Sequence, residues 1–146
     1  AFQVIQGIET LPLRMRQNCS NAERVVDFLE DHPKVERVIY PKNYDGVVGE
    51  RAEKYFNGGF GALAGLELKG GIEAGKKFIN SLKLFYHVAN IGDARSLAIH
   101  PATTTHSQLT PEEQLASGVT PGYVRLSLGI EHPDDLLSDL KQALET

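Results

Sequence analysis

The chain has 146 residues, 41% of them apolar and 23% charged, with a net charge of −4, which are the proportions of one soluble domain around one core. That charge balance gives no basic footprint for nucleic acid, and no apolar run approaches the ~20 residues of a membrane span. The single cysteine, Cys19, excludes an internal disulfide framework and fits a reducing, cytoplasmic compartment.

The chain opens without Met, inside an apolar-rich segment from Phe2 to Ile8, and so reads as a piece of something longer. A helix is expected from Thr10 or Leu11, with Pro12 tolerated in its first turn. Met15, Cys19, Ala22, Val26 and Leu29 form its apolar stripe, and His32 before Pro33 ends it. Cys19 lies within that stripe, which predicts a buried, inert thiol rather than a nucleophile.

Val35 to Tyr40 predicts a short strand, closed by Pro41 and a turn cluster, and Val47 to Phe56 a helix. Phe60 to Leu68 alternates as a second strand. The glycines at 58, 59, 61 and 65 run into that strand instead of opening a helix. They therefore read as close-packing positions and not as a phosphate cradle. Ile72, Gly75, Phe78, Ile79 and Leu82 mark a further helix, and Leu84 to Ala89 a third strand. A loop from Asn90 to Arg95 leads to an extended piece from Ser96 to His100. Thr110, Pro111 and Glu113 carry the signature of a capping box. The last helix begins at Pro133-Asp134-Asp135, with Leu136, Leu137, Leu140 and Leu144 on its apolar side.

The most informative stretch is Thr120 to Pro133. After the Pro121-Gly122 turn the pattern has period two: Val124, Leu126, Leu128 and Ile130 on one face, Tyr123, Arg125, Ser127 and Gly129 on the other. The first face should pack on a core. The second presents a guanidinium and a hydroxyl, with Gly129 expected to leave room beside them. A guanidinium braced by a sheet is a fixed fork for a carboxylate or phosphate. A solvated face or a local ion pair would account for Arg125 as well, and alternation alone leaves both open. His100 and His106, with three threonines between them, lack a third ligand at a zinc spacing, and no Ser-His-Asp or Cys-His constellation occurs. The expected fold class is an α/β (α+β) sandwich: a mostly antiparallel sheet with helices on one face, forming a single domain.

Several long motifs carry a resemblance: Gly7-Ile8-Glu9-Thr10-Leu11-Pro12-Leu13-Arg14-Met15, Gly59-Phe60-Gly61, Ile91-Gly92-Asp93-Ala94-Arg95-Ser96-Leu97, His100 to His106, and Val124 to Glu131. Together they resemble the C-terminal part of the pyridoxal-phosphate enzymes of cysteine and methionine metabolism, along the whole chain. Asn90-Ile91-Gly92-Asp93 with Thr104 to Leu109 looks most like the O-acetylhomoserine sulfhydrylases; lyases and γ-synthases usually carry Ser at the position of Asn90. The resemblance implies the small domain of a fold-type I transferase, covering residues 1–146, with an interdomain helix within 1–31. It also implies a pyridoxal-phosphate reaction of O-acetyl-L-homoserine with sulfide, giving homocysteine and acetate in methionine biosynthesis. Arg125, Asn90 and Thr105 match positions at the substrate α-carboxylate.

The family's Schiff-base lysine stands in a Ser-x-Thr-Lys context that does not occur here. The resemblance therefore implies that a large domain, outside this chain, supplies that lysine and the cofactor's phosphate and ring contacts. On this reading the chain alone is inactive and binds no cofactor, and the parent is a homo-oligomer. The same domain of a methionine γ-lyase or a cystathionine γ-synthase or lyase is the alternative within the family. Outside it stand a free α/β ligand-binding module and a dimerisation module with an exposed first helix.

Overall fold

The computed structural model describes residues 1–146. In chain order the helices are α1 (Phe2–Glu9), α2 (Leu11–Glu30), α3 (Gly46–Tyr55), α4 (Gly71–Ser81), α5 (Pro111–Ala116) and α6 (Pro133–Glu145). The strands are β1 (Val35–Ile39), β2 (Leu63–Leu68), β3 (Tyr86–His87), β4 (Leu97–Ile99) and β5 (Tyr123–Ser127). Single 3₁₀ turns occupy Pro41–Asn43 and Pro101–Thr103. The five strands make one mixed sheet in the order β1-β2-β5-β4-β3. Three of its pairs are antiparallel, and β3 with β4 is parallel.

One face of the sheet is covered by α2, α4 and α6, as the periodicities predict. Val25, Val26 and Leu29 of α2, Phe78 and Ile79 of α4, and Leu136, Leu140 and Leu144 of α6 meet Ala64, Leu66, Val124, Leu126 and Leu128 in a single core. The alternation of β5 is realised: Val124, Leu126 and Leu128 are fully buried. Ile130 breaks the pattern at 42% exposure, because the strand has ended and its N–H turns to the carbonyl of Ala94 at 2.9 Å. Gly129 also departs from expectation. It leaves no room for a ligand, since a Cβ there would meet the Ala94 carbonyl oxygen and Arg95 carbonyl carbon, each at 2.5 Å.

Two further differences are local. Phe2 to Ile8, read only as an apolar segment, is helical in α1 and buries none of its residues. The strand expected over Leu84 to Ala89 shrinks to the two residues of β3. Its first half is captured instead by Asp139 of α6, whose carboxylate accepts the N–H groups of Lys83, Leu84 and Phe85 at 2.8–3.2 Å. Elsewhere the local signals hold. The Thr110–Glu113 capping box is complete, and α2 stops at Glu30 with Asp31 as its C-cap. Gly59, at φ +135°, takes a conformation open chiefly to glycine. Its bare Cα lets the backbone lie on Cys19: an added Cβ would meet that side chain's Cβ at 2.8 Å.

Candidate substrate-carboxylate site

Arg125 lies in the middle of β5, with Gly65 of β2 on one side and Ile99 of β4 on the other. Cross-strand partners share a face, so its side chain stands opposite the helices. It is half-buried, and its Nε is enclosed by protein without any hydrogen-bond partner. On the same face of β2 the nearest carboxylate is Glu67, across from Tyr123, and it is held by Arg37 of β1 at 3.0 Å. Arg125 thus has no ion pair or hydrogen bond within the chain, and only its two terminal nitrogens are left open to solvent. A half-buried cation with an unmet donor costs free energy until an acceptor arrives.

The guanidinium edges a hollow of about 250 Å³ lined by Ile39, Tyr44, Leu63, Gly65 and Tyr123, among others. Gly65 is needed where it stands, for a Cβ there would meet the Tyr123 ring at 2.6 Å and the Ile39 side chain at 3.2 Å. Burial raises the pKa of the Tyr123 phenol, and the neighbouring Arg125 charge partly opposes the rise. Tyr123 is therefore a neutral hydroxyl beside a cation. The hollow joins one charged fork to apolar and aromatic walls, an arrangement suited to a small carboxylate with a short side chain.

Asn90 and Thr105 do not line this hollow and make no hydrogen bond to Arg125. Both are exposed. The Asn90 Oδ1 accepts from the Ile91 N–H at 2.9 Å, which leaves its amide N–H groups free. The Thr105 hydroxyl bonds the ring of His106 at 2.9 Å. β3 runs parallel to β4, with His87 beside Ala98, and Ile99 stands level with Arg125. Asn90 lies in the segment that follows β3 and Thr105 in the segment that follows β4. Ser127, on the Arg125 face, is buried at 2% exposure with an unpartnered hydroxyl.

Sequence reasoning weighed His100 only as a metal ligand and did not foresee its structural role. It is fully buried, with Nε2 2.8 Å from the Pro121 carbonyl and Nδ1 2.8 Å from the Thr103 hydroxyl. A carbonyl only accepts, so Nε2 carries the proton and Nδ1 accepts from Thr103. The ring pins the turn before β5 to the segment that holds Thr105. Its only sequence signal was a histidine directly after an apolar strand.

All eight lysines of the chain are exposed, and none lines the Arg125 hollow. The chemistry at the hollow is that of one guanidinium with aromatic and aliphatic walls.

A family model for Cys/Met metabolism PLP-dependent enzymes matches residues 1–145. An O-acetyl-L-homoserine sulfhydrylase of Leptospira meyeri is 56% identical over 99% of the chain. An L-methionine gamma-lyase of Fusobacterium nucleatum subsp. polymorphum is 47% identical over the same share. Among solved structures, one from Campylobacter jejuni described as an O-acetylhomoserine (thiol)-lyase with N'-pyridoxyl-lysine-5'-monophosphate superposes with a TM-score of 0.89. It is 42% identical over 97% of this chain and 34% of its own. The chain spans about a third of the length of these curated relatives. The model match across nearly every residue and the shared fold place the chain in the family of Cys/Met metabolism pyridoxal-phosphate-dependent enzymes.

Proposed function

We propose that residues 1–146 form the substrate-binding C-terminal domain of a homo-oligomeric, cytoplasmic enzyme that makes homocysteine from O-acetyl-L-homoserine and sulfide. The observation that carries this reading is the unpartnered, half-buried Arg125 at the edge of a small apolar hollow. Arg125 donates two parallel hydrogen bonds to the substrate α-carboxylate, the geometry for which a guanidinium is shaped. Asn90, with its free amide N–H groups, and Thr105, with its hydroxyl, approach the same carboxylate from beyond the end of the sheet. The remaining two-thirds of the enzyme supplies the lysine and the contacts that hold the cofactor, a reading supported by the absence here of a Ser-x-Thr-Lys sequence. Pyridoxal phosphate, bound there, supplies the electron sink that lets acetate leave the γ-carbon and sulfide replace it. The chain by itself catalyses nothing, and the helices within residues 1–31 join it to the larger domain.

The test is substitution of Arg125 in the full-length enzyme. Arg125→Lys keeps the charge and loses the fork, so kcat/KM for O-acetylhomoserine should fall roughly tenfold to hundredfold, at about 1.5–3 kcal/mol per charge-assisted hydrogen bond. Arg125→Ala should fall further, and the cofactor's absorbance should stay as it is in both. Wild-type turnover by Arg125→Ala would end this reading. The similarity to methionine gamma-lyases supports a second one, elimination from methionine. An assay of methionine consumption without sulfide separates the two.

A further inference from the structure

Buried polar groups join α2, the segment after β5 and the base of the loop that runs from Asn90 to Arg95. Glu131, just past β5, accepts the Ser96 N–H at 2.6 Å through Oε1 and the Ser96 hydroxyl at 2.8 Å through Oε2. The Ser96 Oγ in turn accepts the Gly129 N–H at 2.8 Å. Behind this pair stand two asparagines of α2. Asn21 Nδ2 donates to the carbonyls of Gly129 and Glu131, both at 2.9 Å. Asn18 Nδ2 donates to the carbonyls of Leu128 at 2.7 Å and Asp93 at 3.4 Å. Asn18, Asn21 and Ser96 are each at most 1% exposed. Further ties run from Arg14 to the Gly92 carbonyl and from the Ile130 N–H to the Ala94 carbonyl.

On the loop the ties fall on residues 92, 93, 94 and 96, and Asn90 and Ile91 at its start have none to the rest of the fold. Buried polar side chains are costly unless fully bonded, and Asn18 even keeps an unpartnered Oδ1. The asparagines hold the carbonyls of Leu128, Gly129 and Glu131, and through Asp93 and the Glu131–Ser96 pair the same cluster reaches the base of the loop that presents Asn90. We infer that Glu131 and Ser96, braced by Asn18 and Asn21, are positioning residues that fix the Asn90 tip at the substrate site. The α2 helix carries the brace, so the tip's position is tied to the helix on the opposite face of the sheet. This rests on the reading of Asn90 as a carboxylate ligand; misplacing a binding group by about 1 Å is enough to weaken substrate strongly.

The experiment uses the full-length enzyme with Glu131→Gln and, separately, Ser96→Ala. Glu131→Gln removes the charge and forces the Ser96 hydroxyl to give up its carboxylate acceptor, whereas Ser96→Ala removes that hydroxyl and leaves the Gly129 N–H without its acceptor. Both should raise KM for O-acetylhomoserine, by about tenfold for Glu131→Gln, with kcat and KM for sulfide held within about twofold. Amide hydrogen exchange should quicken in residues 90–96 above all. In an Asn90→Ala background, Glu131→Gln should raise KM no further. An unchanged KM in both variants overturns the inference, whatever happens to melting temperature, as does an additive rise in the Asn90→Ala background. Failure of the carboxylate reading shows separately, as a normal KM in Arg125→Ala, and loop exchange then still decides whether the network holds the tip.

Discussion

Arg125 of β5 and Gly65 of β2 face each other across the sheet, and the Tyr123 ring lies over the space that a side chain at residue 65 would fill. Gly65→Ala should push that ring aside by its flexible end, so the fold should lose only about 1–3 kcal/mol from overpacking. The hollow at Arg125 should narrow more than the stability suggests. Substrate saturation and thermal melting measured together on the full-length enzyme check this, with a clear rise in KM and a small fall in Tm expected.

Asp139 should prove one of the most destabilising positions on α6. Its buried carboxylate satisfies three successive N–H groups ahead of β3 and accepts from the Gln142 amide as well. Asp139→Ala would leave those donors unmet and cost about 2–4 kcal/mol. Asp139→Asn should recover only part of that, because its own N–H groups then face donors. Chemical denaturation gives the difference directly.

Tyr40 makes the protein sensitive to alkali. Its phenol is fully buried and donates to the Gly61 carbonyl at 2.9 Å, and burial pushes its pKa far above the ordinary value. The unfolded chain ionises first, so stability from the neutral phenol is complete below pH about 10 and is lost as pH rises beyond it. Tyr40→Phe should cost about 1 kcal/mol at neutral pH and flatten the decline above pH 10. A denaturation midpoint series against pH shows both effects.

Thr110→Ala should break the capping box in which Glu113 and Thr110 exchange hydrogen bonds at 2.8 and 3.3 Å. The expected loss is about 1 kcal/mol. It should be confined to α5 and seen as faster amide exchange at residues 111–116.

The parts of the fold legible in the sequence are those set by near neighbours. The period-two run of β5, the stripes of α4 and α6 and the Thr110 box each depend on residues within one turn or one strand. What escaped depends on distant partners. Leu84 to Ala89 has the composition of a strand, yet Asp139, more than fifty residues away, takes the N–H groups that a strand would have shared. Gly129 looked like space, and the loop at Ala94 and Arg95 fills it. Asn18 and Asn21 interrupt an apolar stripe with no local reason, because their partners lie past β5. Arg125 could be placed on a face from alternation alone. Its want of a partner could not, since it depends on Arg37 having taken Glu67. Asn90 and Thr105 came only from the resemblance, and they stand outside the hollow.

The centre of the sheet is β5, the last strand of the chain, inserted between β2 and β4. During synthesis the β1-β2 and β3-β4 pairs therefore emerge as two separate ribbons, each with an open inner edge, and nothing joins them until residues 123–127 leave the ribosome. Such edges invite pairing with other chains while they wait. The interval in which both ribbons stand open is thus the time taken to translate residues 100–122, and a nascent chain stalled there would expose two unpaired strand edges.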